Sequence, residues 1–186
     1  MHASLERRLV LVQGAPALES YSSYLRAMYG FIAPLEAGFR QLPDELCADL
    51  SLSRRCKAGL ILRDLEALSP RLGHALGNAP RCDALPSQGT VPRALGALYV
   101  LEGSTLGARW LLRHLAPLGI DDCSAYLSSY GEELGAMWQK MRAVLSNYSQ
   151  QHPDRDAELV SAALQTFERL DDWFVRCGAA EVSRAA

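Results

Sequence analysis

Apolar residues along this chain recur at spacings of three and four and nowhere alternate convincingly at two, which predicts helices and no sheet. From Leu18 onward, Leu18, Tyr21, Leu25, Met28, Ile32, Leu35 and Phe39 fall on one predicted stripe, with Ser22, Arg26, Glu36 and Arg40 facing elsewhere. Pro34 lies inside this pattern. Gly30, one turn earlier, is expected to ease a kink without ending the helix, which stops at Leu42-Pro43-Asp44. A second helix is predicted from about Ser53 to Leu68, closed by Ser69-Pro70, and a short helix followed by a loop over 71–89. Thr90 is the expected N-cap, and Pro92 a first-turn residue, of a long helix from Val91 to Leu115 that ends before Pro117. A further stripe comprises Tyr126, Tyr130, Leu134, Met137, Met141, Val144 and Tyr148. The last helix opens around Pro153-Asp154, carries Leu159, Ala163, Phe167, Leu170 and Phe174 inward, and stops at Gly178, leaving 178–186 as a loose tail. No repeat, low-complexity tract or long linker divides the chain, so the expectation is one all-α domain over 1–186.

Composition narrows the function classes. Hydrophobic residues make up 49% and charged residues 22%, as in a soluble globular protein. Nineteen Lys and Arg against twenty-one Asp and Glu give a net charge of -2, with no basic stripe, which argues against a nucleic-acid binder. Apolar runs such as 59–62 and 95–101 are too short to span a bilayer. Met1-His2-Ala3-Ser4 does not open a secretory signal, so the expected location is cytoplasmic, away from any membrane. The five cysteines (Cys47, Cys56, Cys82, Cys123, Cys177) form no Cys-x-x-Cys pair, and reduced, mostly buried thiols are expected.

The helix over 91–115 carries the candidate chemistry. Gly96, Gly103 and Gly107 are seven and four residues apart, which places them on nearly one face. Each costs roughly 0.5–1 kcal/mol relative to alanine, so something must approach the backbone closely. A tight helix crossing is one reading. A flat ligand lying on the bare helix is the other, with Leu95, Tyr99, Leu106 and Trp110 as its wall.

The run Leu98-Tyr99-Val100-Leu101-Glu102-Gly103-Ser104-Thr105-Leu106-Gly107-Ala108 resembles the distal-helix motif of bacterial haem oxygenases, particularly those paired with bacteriophytochromes. His2-Ala3-Ser4-Leu5-Glu6 is similar to the family's proximal motif. Tyr24-Leu25 through Leu35-Glu36 resembles its second helix, Arg55-Cys56-Lys57 through Asp64-Leu65 its third, and Tyr130-Gly131 with Trp138 its penultimate helix. The resemblance covers roughly 2–175 and implies a haem-oxygenase-like helical bundle. Haem would be both substrate and prosthetic group, held between a proximal helix bearing the axial ligand His2 and a kinked distal helix. It would be opened to biliverdin with release of carbon monoxide and ferrous iron. The same resemblance implies oxygen and an external electron donor, a ferredoxin or NADPH-dependent reductase, with a bacteriophytochrome as a recipient of biliverdin.

On the same resemblance Gly103, Ser104 and Gly107 are the catalytic residues of the distal side, with Ser104 holding ordered water for proton delivery. His2, Tyr99, Gly103, Gly107, Ala108, Trp138 and Arg142 surround the haem. Ala108 departs from the further glycine that many members carry. Only Met1 precedes His2, where the family has a turn or more of helix, so a weaker and more pH-sensitive haem complex is expected. Glu6, four residues on from His2, would orient its ring.

For several residues a structural role stands beside the functional one. Tyr99 suits a propionate or water contact, or a place in the core. Trp138 suits the haem region or helix packing, and Arg142 and Lys140 suit propionates or a solvated face. His74, His114 and His152 read as surface or capping residues. Competing functions are a non-catalytic haem or tetrapyrrole carrier and a di-iron or cofactor-free helical enzyme sharing the broader architecture. The paired Glu-x-x-His motifs of a di-iron site do not occur in the sequence.

Overall fold

The computed structural model describes residues 5, 7–74 and 77–182. Helix α1, Leu18–Phe39, runs through Pro34 and buries Tyr21, Leu25, Met28, Ile32, Leu35 and Phe39 of its predicted stripe. Gly30 is a close-approach site as well as a helix position. A Cβ there would lie 2.1 Å from the Pro80 carbonyl oxygen and 2.8 Å from Trp173 Cζ2, and the Gly30 carbonyl accepts the Cys82 N–H at 2.9 Å.

Helix α2, Asp44–Leu50, which the sequence pattern did not predict, is separated by Ser51, in the left-handed region at φ 52°, from helix α3, Leu52–Arg55. The helix predicted from about Ser53 to Leu68 is divided, and α3 carries only its start. Helix α4, Ala58–Leu72, begins after a break at Cys56-Lys57 and continues past Pro70 to Gly73. The break has a tertiary cause: Glu36 of α1 accepts hydrogen bonds from the backbone N–H groups of Lys57 and Ala58. A carboxylate from one helix thereby satisfies free donors at the start of another, in the orientation that a helix dipole favours.

The expected single helix over 91–115 is two. Helix α5, Val91–Ser104, gives way to a 3-10 turn, Thr105–Gly107, before helix α6, Ala108–Leu115. Ser104 Oγ donates to the Leu101 carbonyl at 2.7 Å and Thr105 Oγ1 to the Glu102 carbonyl at 2.6 Å. Consecutive hydroxyls bonding back to the preceding turn bend a helix. Helix α5 packs along helix α8, Asp156–Arg176, more extensively than any other described pair of elements.

Of the stripe beginning at Tyr126, Tyr126, Tyr130, Met137 and Met141 are buried while Leu134, Val144 and Tyr148 are half-buried, and helix α7 covers only Leu134–Gln151. The segment before it is held by side chains instead. Asp64 of α4 accepts the N–H groups of Ala125 and Tyr126, each at 2.8 Å, and Tyr21 donates to the Cys123 carbonyl at 2.9 Å.

The two ends of the described chain meet. Residues 5, 7 and 8 are helical, and Leu9 forms an antiparallel bridge with Ala180. Val10 N–H donates to Ala179 O at 2.9 Å and Glu181 N–H to Arg8 O at 2.8 Å, while Arg8 pairs with Asp171. Ala179 and Ala180 are buried, so the segment after Gly178, expected to be loose, is docked as far as Glu181.

The fold is all-α, and apart from that single bridge no strand pairing occurs among the described residues. No described helix is long and apolar enough to cross a membrane. All five cysteines are unpaired. Cys82 and Cys123 are buried, Cys47 and Cys177 half-buried, and Cys56 is exposed, which departs from the expected burial.

Candidate functional site

A cavity of about 510 Å³ opens between the N-terminal segment, α1, the Thr105–Gly107 turn and α8. Leu5, Leu9 and Val12 form one wall and Tyr24 and Met28 a second. Ser104, Gly107, Trp110 and Leu111 form the third, with Phe167, Leu170 and Phe174 opposite. The size falls in the range of about 300–1,000 Å³ usual for small-molecule sites, and the lining is mostly apolar and aromatic, as such sites are. Arg7, Gln13 and Ser104 are its polar contributors.

The walls are braced. Tyr24 stacks on Phe174 with centroids 5.9 Å apart, and Trp110 lies parallel to His114 at 5.3 Å. His114 Nε2 lies 3.2 Å from the Leu11 carbonyl oxygen, which ties α6 to the N-terminal segment. Behind Ser104 stands Tyr126, whose buried hydroxyl meets the side chains of Ser104 and Tyr24. Burial raises its pKa well above the usual phenol value, so it remains a proton donor.

A charged cluster lies on the protein side of the same turn. Glu102, 1% exposed, is paired with Arg55 and with Lys57 Nζ at 2.6 Å, and Tyr130 donates to both carboxylate oxygens at 2.8 and 2.9 Å. Burial lowers the Lys57 pKa and raises that of Tyr130, and Glu102 opposes the first shift and adds to the second.

The predicted site residues do not all gather. Ser104 and Gly107 line the cavity, and Gly103, half-buried, precedes Ser104 in the last turn of α5. Ala108 is buried and turns the other way, into a second cavity of about 280 Å³ with Thr105, Arg109 and Tyr130. Tyr99 and Trp138 meet in a tilted ring contact at 5.4 Å, and neither is among the described residues lining the main cavity. Arg142 is exposed on α7 and Lys140 Nζ bonds Ser51 Oγ at 2.8 Å, so neither charge reaches the cavity.

His2 and Glu6 lie outside the described residues. Of the expected apolar wall only Trp110 takes part; Leu95 is in the core, and Tyr99 and Leu106 are exposed. Gly96 serves the helix crossing, since a Cβ there would meet Leu159 O at 2.5 Å and Ala163 N at 2.8 Å. His152 makes a tilted ring contact with Tyr148, and His74 borders a surface depression with Arg26 and Glu19.

Sequence reasoning missed Arg7 as a lining residue and read Tyr24 and Met28 only as helix-packing positions. It assigned Phe167, Leu170 and Phe174 to packing, although their spacing was legible as one face of α8. That face meets both the cavity and α1, where Tyr24 stacks on Phe174, and a single stripe cannot distinguish the two.

Among the described residues no group of three or more His, Cys, Asp or Glu is placed to hold a metal ion. Comparison with protein-family models, curated proteins and solved structures finds no match to this chain.

Proposed function

We propose that the protein is a haem oxygenase that takes haem into the 510 Å³ cavity and opens it to biliverdin, carbon monoxide and ferrous iron. Oxygen and electrons from a cytoplasmic ferredoxin or NADPH-dependent reductase would drive the reaction, and a bacteriophytochrome would be a natural recipient of the product. One observation carries this reading: Ser104 and the Thr105–Gly107 turn, which breaks the glycine-bearing helix, form an edge of an apolar, aromatic-walled cavity.

The residues present fit haem. Phe167, Leu170, Phe174, Met28 and Leu111 supply an apolar surface for the macrocycle, and Gly107 lets backbone approach its face. Arg7, also in the lining, suits a propionate because a guanidinium makes charge-assisted contacts with carboxylates. We assign the axial ligand to His2, which stands three positions before the cavity-lining Leu5. Bound haem would supply the iron that activates oxygen and the ring that is opened.

The chain's own part is to bind, to exclude water and to hold protons. Ser104 Oγ uses its proton on the Leu101 carbonyl at 2.7 Å, leaving oxygen lone pairs as acceptors at the cavity edge. The Tyr126 phenol behind it remains protonated at physiological pH and can keep a water-borne proton in register with Ser104 and Tyr24.

Titration with ferric haem, followed by Soret absorbance, tests the reading. Wild type is expected to give a defined Soret band and, with a reductant and oxygen, to convert it to biliverdin absorbance. Gly107→Leu is expected to weaken binding at least tenfold, about 1.4 kcal/mol, with helical circular dichroism unchanged. His2→Ala should change the electron paramagnetic resonance spectrum of the ferric complex. A band without conversion makes the protein a haem or tetrapyrrole carrier, and no band at all removes haem from the site.

A further inference from the structure

We infer that Glu102 is a positioning residue whose carboxylate, locked by Arg55, Lys57 and Tyr130, fixes where the end of α5 and the Thr105–Gly107 turn stand at the cavity edge. The inference rests on the cavity being the functional site proposed above, and it concerns the distal turn itself.

Glu102 is joined to the turn by its main chain and to the body of the protein by its side chain. Its carbonyl accepts both the Thr105 N–H and the Thr105 hydroxyl, the bonds that convert the end of α5 into a 3-10 turn. Its carboxylate receives Lys57 Nζ and the Tyr130 hydroxyl on Oε1, and Arg55 and the same hydroxyl on Oε2. Both oxygens are thus engaged by several donors from different elements, which leaves the group one orientation.

The donors are themselves anchored away from the cavity. Arg55 Nε donates to Leu50 O at 2.6 Å and its Nη2 to Met137 O at 3.0 Å, tying the cluster to α2 and α7. Lys57 Nζ lies 4.5 Å over the Tyr130 ring, and the Lys57 backbone N–H is held by Glu36 of α1. Side chains with 0%, 3% and 1% exposure at Arg55, Lys57 and Glu102 make this a fully buried ion triad. Such groups are a poor source of stability, because packed apolar residues of similar volume serve about as well; fixing one geometry is their best-attested use. Here the geometry fixed is that of the residue immediately before Gly103-Ser104.

The protein contains three tryptophans, so 5-fluorotryptophan labelling of the full chain gives three fluorine signals. Trp110 lies just beyond the turn and lines the cavity, whereas the Trp173 indole N–H is fixed to Ala27 O at 2.8 Å in the core. Without haem, Glu102→Gln and Tyr130→Phe are each expected to shift or split the Trp110 signal while leaving Trp173 in place. With ferric haem, the same variants should give an altered Soret and paramagnetic resonance spectrum, and turnover reduced roughly 10²-fold by misplacement of the distal wall.

If Glu102→Gln fails to fold, Tyr130→Phe, which retains both ion pairs, decides the matter. An unmoved Trp110 signal in the folded variants overturns the inference. So does a joint shift of Trp110 and Trp173, which would report general loosening. A wild type that gives no Soret band defeats the haem reading alone, and the ligand-free fluorine spectra still judge Glu102.

Discussion

Gly96, within α5, and Gly107, in the turn that ends it, show how one residue type serves two ends. At Gly96 the neighbours are backbone atoms of α8, Leu159 O and Ala163 N, which cannot swing aside as a side chain would. Gly96→Ala is therefore expected to destabilise the fold by about 1–3 kcal/mol, the usual cost of overpacking. Urea unfolding measures this, and haem titration of the folded fraction should match wild type. Gly107→Leu should do the reverse, because its neighbour is a cavity. The spacing of the glycines was legible in the sequence, but what faces each depends on where α8 and the N-terminal segment lie.

Glu158 offers a second test at this scale. Its carboxyl is held below the usual range chiefly by the Thr90 hydroxyl at 2.9 Å; burial partly opposes this, and Arg155 and Arg93 add attraction. A depressed carboxylate contributes stability that is complete above its unfolded pKa, about 4.3, and is lost as pH falls through the folded value. Thr90→Val removes the largest cause. The variant should be less stable than wild type at neutral pH, with the gap narrowing between about pH 5 and pH 3, a trend urea unfolding at each pH would follow.

At the scale of elements, the helices were legible and their breaks were not. The period across 91–115 continues through Thr105–Gly107, so the sequence predicts one helix; the break comes from the Ser104 and Thr105 hydroxyls and from the tethered Glu102. The same holds at Cys56-Lys57, where Glu36 caps α4 from α1, more than twenty residues away in sequence. Glu36→Ala leaves the N–H groups of Lys57 and Ala58 without that acceptor and should cost about 0.5–2 kcal/mol, the range for loss of a helix cap. Comparing denaturation midpoints of wild type and variant checks this, and an unchanged midpoint would mean that water caps α4 as well.

At the scale of the whole molecule, the candidate site was legible only at Ser104, Gly107 and Trp110, because the other walls arrive from distant parts of the chain. Tyr99, Trp138 and Arg142 share helices with cavity-lining or core residues yet do not line the cavity, which no single-helix pattern reveals. The N-terminal wall depends most on long-range contacts. Leu5, Arg7, Leu9, Val12 and Gln13 line the cavity, and the C-terminal strap holds this segment through the Leu9–Ala180 bridge, Val10 N–H to Ala179 O and Glu181 N–H to Arg8 O. Ending the chain after Gly178 removes these backbone bonds, each worth about 0.5–1.5 kcal/mol net. It also removes the buried methyl groups of Ala179 and Ala180, at about 0.8 kcal/mol each. A loss of about 3–5 kcal/mol confined to one wall raises its open population by at least an order of magnitude without unfolding α1, α5 and α8. Hydrogen exchange over residues 7–13 should therefore accelerate in the truncated chain, while exchange in α1 holds at the wild-type rate. Haem affinity should fall about tenfold or more. Unchanged exchange in that segment would mean that packing of Leu9 and Leu11 against the core holds the wall unaided.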